Sequence, residues 1–178
     1  MTATFSGERL IALVVLLTVA VATEASGHYT ETRNKRDVMG MGQMISTVTG
    51  KNLFVVLTSY NGYGCYCGIG GRGTPVDEVD GCCKRHDDCF TAAQKGVCAG
   101  TGRGYYSHTY KYRVTENDKP INGVHAEVVC APVSAYKTRG QGRCGTTICK
   151  CDRALSRCLA QHPSNQKHIR YDREKCHD

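Results

Sequence analysis

Two stretches carry residue types that do chemistry when brought together. Tyr63-Gly64-Cys65-Tyr66-Cys67-Gly68-Ile69-Gly70-Gly71 is a glycine-rich loop, and Asp80-Gly81-Cys82-Cys83-Lys84-Arg85-His86-Asp87-Asp88-Cys89 places a histidine beside carboxylates on a candidate helix. A glycine loop lets a ligand approach backbone carbonyls closely, because no Cβ stands in the way. A neighbouring carboxylate adds the hard, charged oxygen that calcium prefers, and a histidine next to it can act as a base. The combination is that of a metal-assisted hydrolytic site.

The elements that must position these residues follow from the cysteine spacing. Cys82 and Cys89 are seven residues apart, as are Cys151 and Cys158, so each pair lies on one face of its helix. Packed antiparallel, the two helices bring Cys82 to Cys158 and Cys89 to Cys151 in one common register. Residue 86 then faces residue 154, and Asp152 is offset by about 3 Å along the axis at the 1.5 Å rise per residue. Asp152 is therefore within reach of His86. Cys83 points about 100° away from Cys82 on a helix and needs another partner, for which Cys67 in the glycine loop is the natural candidate. That bridge would hold the loop against Asp87, one turn beyond Cys83. Spacing alone does not fix the connectivity of twelve cysteines.

Around this pair the chain reads as a single domain. Val38, Met41, Met44, Ile45 and Val48 recur at helical spacing and predict an amphipathic N-terminal helix. Thr74-Pro75-Val76-Asp77 reads as a helix start, with Thr74 as N-cap and a helix running to about Gln94. Tyr110, Tyr112 and Val114 alternate with polar residues, Asn122-Gly123 is a hairpin signal and Val124 to Val129 is β-prone, which predicts a two-stranded β-wing. The second long helix is expected to begin near Thr146 or Thr147 and to end at His162-Pro163. The fold class is mainly α and disulfide-rich.

The N-terminus carries processing signals. Arg9, the apolar run Leu10 to Ala22 and the small residues Ala20-Val21-Ala22 read as a signal peptide over residues 1–22, too short for a membrane span. Arg33-Asn34-Lys35-Arg36 is a dibasic site that would end a propeptide at 36, leaving residues 37–178 as the mature domain. All twelve cysteines of the 178-residue chain lie in that part. After an export signal they read as a disulfide framework in a secreted, extracellular protein rather than as a zinc cluster. The mature part holds 19 Lys and Arg against 13 Asp and Glu, a formal +6. This favours an anionic lipid surface as partner over nucleic acid.

The three motifs, with Cys149-x-Cys151-Asp152-Arg153-Ala154 as the third, resemble those of the secreted calcium-dependent phospholipases A2. The resemblance implies hydrolysis of the sn-2 acyl ester of phosphoglycerides, releasing a fatty acid and a lysophospholipid, by a protein that works as a monomer. It implies calcium bound by the carbonyls of Tyr66, Gly68 and Gly70 and by both oxygens of Asp87, with the Gly68 N–H serving an oxyanion. His86 would be the general base, Asp152 its orienting partner, and Tyr110 a hydrogen-bond donor to that aspartate. It further implies the pairs Cys65–Cys176, Cys67–Cys83, Cys82–Cys158, Cys89–Cys151, Cys98–Cys144 and Cys130–Cys149. Phe90 stands where most members carry a second tyrosine, and the segment from Val114 to Cys144 is longer than usual. His108, His125, His162, His168 and His177 are expected to be solvated. The competing reading is a non-catalytic toxin or receptor ligand on the same scaffold.

Overall fold

The computed structural model describes residues 30–31, 38–101 and 108–177. The expected signal peptide and the dibasic site lie outside the described residues. The first helix, α1 (Val38–Thr49), buries Met44, Ile45 and Val48, the stripe that the sequence marks as apolar. A helix absent from the sequence reading follows at once. α2 (Leu53–Tyr60) starts at Asn52, whose side chain accepts the Val55 N–H at 2.8 Å. Its apolar run is only half used, because Val56 and Tyr60 face inward while Phe54 is 76% exposed.

The two long helices, α3 (Glu78–Lys95) and α4 (Arg139–Gln161), are joined by Cys82–Cys158 and Cys89–Cys151, which makes them antiparallel in the expected register. Both start elsewhere than the sequence suggests. Asp77, not Thr74, caps α3 by accepting the Asp80 N–H at 2.9 Å. Residues 74–77 are held instead by outside partners, with the Thr74 N–H donating to His177 and the Val76 N–H to the Asp80 carboxylate. α4 begins two turns early, at the Thr138 cap, and runs through Gly140, Gly142 and Gly145. Glycine lowers helix propensity, but here it permits close approach. A Cβ at Gly142 would lie 2.4 Å from the Val133 carbonyl, and one at Gly145 would lie 2.7 Å from the Tyr136 ring.

The wing is built from β2 (Lys111–Ile121) and β3 (Val124–Cys130), antiparallel, with Arg113 opposite Val129 and Val114 opposite Val128. Asn122 and Gly123 both have positive φ, 50° and 78°, the conformation a tight right-twisting hairpin requires. A short strand β1 (Thr30–Glu31) adds to the other edge of β2. One apolar cluster joins α1, α3, α4 and the wing through Met44, Val48, Phe90, Tyr110, Val128 and Ile148. A second lies beneath the glycine loop and holds Ile45, Val56, Tyr63, Val79, Leu155 and Leu159. The six disulfides pair as the family resemblance implies, and no described cysteine is free.

Candidate active site

His86 on α3 and Asp152 on α4 meet between the two cross-links. The His86 Nε2–H donates to Asp152 Oδ1 at 2.7 Å. Asp152 is fully buried and His86 nearly so, at 0% and 7% exposure. A carboxylate only accepts, so the proton of this bond sits on Nε2 and Nδ1 carries the lone pair. The hydroxyl of Tyr110, at the foot of β2, donates to the other Asp152 oxygen at 2.7 Å. Burial first, then the Asp152 charge, push the Tyr112 phenol up. Phe90, the departure noted in the sequence, is fully buried with its ring centroid 6.4 Å from that of His86.

Asp87 follows His86 on the helix but looks outward. Its nearer oxygen is 3.8 Å from His86 Nδ1, and its side chain is 36% exposed. Among the described residues its carboxylate accepts no hydrogen bond from protein, so its oxygens are open to a cation. Cys67–Cys83 ties the glycine loop to the same helix, with a Cα separation of 5.0 Å. Gly68 and Gly70 take φ values of 128° and 78°, which only glycine adopts readily, and a Cβ at Gly70 would meet nothing within 4 Å. An exposed loop of carbonyls beside an uncommitted carboxylate is an all-oxygen donor set. Such a set fits calcium and suits softer metals poorly.

Two supports of the site were not singled out from the sequence. Asp80 is fully buried and accepts the N–H groups of Cys65, Tyr66 and Val76 at 2.8, 2.7 and 3.0 Å, so it anchors the start of the loop. Gly64 must be glycine beside it, since a Cβ there would lie 2.3 Å from the carboxyl carbon. Only its place in the motif Asp80-x-Cys82 hinted at importance. The second support is a clasp in which the Tyr63 hydroxyl and the His168 ring both bond Asp77 Oδ2, the latter at 2.7 Å. Burial opposes ionisation of Asp77, yet hydrogen bonds from Tyr63, the Asp80 amide and His168 hold its carboxyl below the usual value. Burial first, then the bond to Asp77, pushes the Tyr63 phenol up to about 12. His168 is thus not a solvated histidine. Neither is His108, which is buried with Nδ1 3.3 Å from Cys144 Sγ, whereas His125 and His177 are exposed as expected.

This arrangement can be set beside known proteins. A family model described as Phospholipase A2 matches residues 38–169, which include the loop, the His86–Asp87 helix, the wing and Asp152. The chain belongs to the phospholipase A2 family. A phospholipase A2 of Acanthaster planci is 34% identical over 167 residues, covering 92% of this chain and 98% of its own. The phospholipase A2 of Bos taurus is 35% identical over 121 residues, 67% of this chain and 72% of its own. The group IIF secretory phospholipase A2 of Mus musculus is 34% identical over 139 residues, 78% and 70% of the two chains. The chain is thus an enzyme, a phospholipase A2, and its buried His86–Asp152 pair lies within the part shared with these relatives.

Proposed function

We propose that this phospholipase A2 is a secreted enzyme that cleaves the sn-2 acyl ester of phosphoglycerides, with His86 as general base and calcium as cofactor. The observation that carries the reading is the His86 ring, fixed by Asp152 through Nε2 with Nδ1 beside the uncommitted Asp87 carboxylate. His86 Nδ1 takes a proton from a water molecule as that water attacks the ester carbonyl. Asp152 holds the tautomer and steadies the imidazolium that forms, and Tyr110 keeps Asp152 in place. The Gly68 N–H donates to the carbonyl oxygen as negative charge builds on it, a contribution typically worth about 3 kcal/mol for one donor. His86 then returns the proton to the leaving glycerol oxygen, so that no residue is acylated. Calcium, held by the carbonyls of Tyr66, Gly68 and Gly70 and by Asp87, would polarise the ester carbonyl as a Lewis acid.

Export is supported by the N-terminal signal over residues 1–22, by the six disulfides and by the secretory relative. Cleavage after Arg36 would release residues 23–36 and with them Thr30–Glu31, leaving the wing two-stranded. Regiochemistry tests the reading. With phospholipid vesicles labelled separately in the two acyl chains, the sn-2 label is expected among the free fatty acids and the sn-1 label in the lysophospholipid. Release of the sn-1 label alone would overturn it.

A further inference from the structure

The glycine loop that would hold the cation is gripped by a residue of the C-terminal tail. Arg173 lies on a 3-10 turn (Arg173–Lys175), four residues past the part matched by the family. One of its terminal nitrogens donates to the Ile69 carbonyl and the other to the Cys67 carbonyl at 3.4 Å. The tail is fixed where it must be for this reach. Cys65–Cys176 bonds it to the start of the loop, the Thr74 N–H donates to His177, and Arg72 donates to the Arg173 carbonyl at 3.1 Å. A Cβ at Gly68 would lie 3.1 Å from the guanidinium, so the glycine and the arginine fit one another.

We propose that Arg173 is a positioning residue for the cation site, clamping the carbonyls of Cys67 and Ile69 so that the loop is ordered before calcium arrives. The inference rests on the reading of Tyr66, Gly68 and Gly70 as calcium ligands, the carbonyls that alternate with the two Arg173 holds. A stretch with glycine at 68, 70, 71 and 73 has much backbone freedom to lose. Any of that freedom lost only on binding weakens the site, and a loop ordered beforehand avoids the penalty. The planar guanidinium spans two acceptors at once, whereas a lysine ammonium is a point donor. Against this stands the charge of Arg173, which repels a cation nearby. Two substitutions separate the effects. Arg173→Lys keeps the charge and loses the fork, and Arg173→Ala loses both.

The test is calcium binding to the intact six-disulfide protein, measured by isothermal titration without lipid. Backbone order parameters of Gly68, Ile69 and Gly70, recorded in calcium-free buffer, supply a second readout. If Arg173 is a clamp, both variants bind calcium roughly three- to tenfold more weakly, the fold-change expected from losing about one hydrogen bond. Their loop order parameters fall, and half-maximal activity needs more calcium while turnover at saturating calcium is little changed. Lys175→Ala, on the same turn with its side chain 67% exposed, serves as the charge control and should match the parent. Tighter binding by Arg173→Ala, with Arg173→Lys unchanged, would show that the residue acts only as a repelling charge and overturn the proposal. Parental affinity and loop order in both variants would overturn it as well. A parent protein that binds no calcium would instead remove the reading of the site, and this inference with it.

Discussion

Asp152 binds the site together at the scale of single residues, because a carboxylate with no exposure must find its partners inside the protein. It accepts from His86 on one oxygen and Tyr110 on the other. His86→Gln is expected to lower turnover by about 10²–10⁴-fold, since glutamine cannot take the proton from water. Calcium affinity, measured by titration, should stay near that of the parent, because the carbonyl donors and Asp87 are untouched. Phe90→Tyr is expected to place a second hydroxyl near the same aspartate and to stabilise the fold by about 0.5–1.5 kcal/mol, the worth of one added hydrogen bond. A thermal melt showing destabilisation would mean that the fully buried ring has no room for the hydroxyl. The His86–Asp152 approach was legible in the sequence because the cysteine register fixes which residues face one another. Asp80 was not, since its partners are backbone amides 15, 14 and 4 residues back in the chain and leave no side-chain pattern to read.

At the scale of elements, the long helices were readable in their middles and not at their starts. Thr74-Pro75 has the composition of a helix start, but the chain there is claimed by His177 and Asp80, so the cap passes to Asp77. Gly140, Gly142 and Gly145 at the head of α4 look like a loop until the 133–136 segment is seen pressed against the last two of them. The cap residue Asp77 also clasps Tyr63 and His168, joining the loop, α3 and the segment after α4. This has a consequence for stability against pH. The folded pKa of Asp77 lies below its ordinary value of 3.8, so its contribution is present above pH 3.8 and is lost as pH falls through the lowered folded value. Tyr63, raised from 10.0 to about 12, contributes below pH 10.0 and loses that contribution as pH rises toward 12. Asp77→Asn should flatten the acid side of a plot of melting temperature against pH. An acid limb as steep in the variant as in the parent would assign the acid sensitivity to other carboxylates.

For the whole molecule the question is what surface it meets. No helix among the described residues is long and apolar enough to cross a membrane. Phe54 and Ile69 are exposed at 76% and 78%, and the chain has no tryptophan to seat at a lipid interface. We propose that the formal +6 of residues 37–178 supplies much of the attraction. Binding and hydrolysis are expected to be stronger on anionic than on zwitterionic vesicles, by about 1 kcal/mol for each Lys or Arg near the surface. The preference should fade as salt is added. Equal binding to both vesicle types, unchanged by salt, would assign the attraction to apolar insertion instead. Compositional charge was legible from sequence, but which face carries it was not, because the basic residues are spread over α3, the wing and α4.

We propose that one site, built from His86, Asp152, the glycine loop and Asp87, performs a calcium-dependent hydrolysis. The most direct measurement is fatty-acid release from phospholipid vesicles as calcium is withdrawn with EDTA and restored, for the parent and for Asp87→Lys with its six disulfides verified. Activity in the parent is expected to disappear in EDTA and to return with calcium in the millimolar range, since three of the four proposed ligands are neutral carbonyls and such sites bind at about 10⁻⁴–10⁻³ M. Asp87→Lys should be inactive at every calcium concentration, with its fold retained. Hydrolysis that continues undiminished in excess EDTA, or that survives in Asp87→Lys, would contradict it.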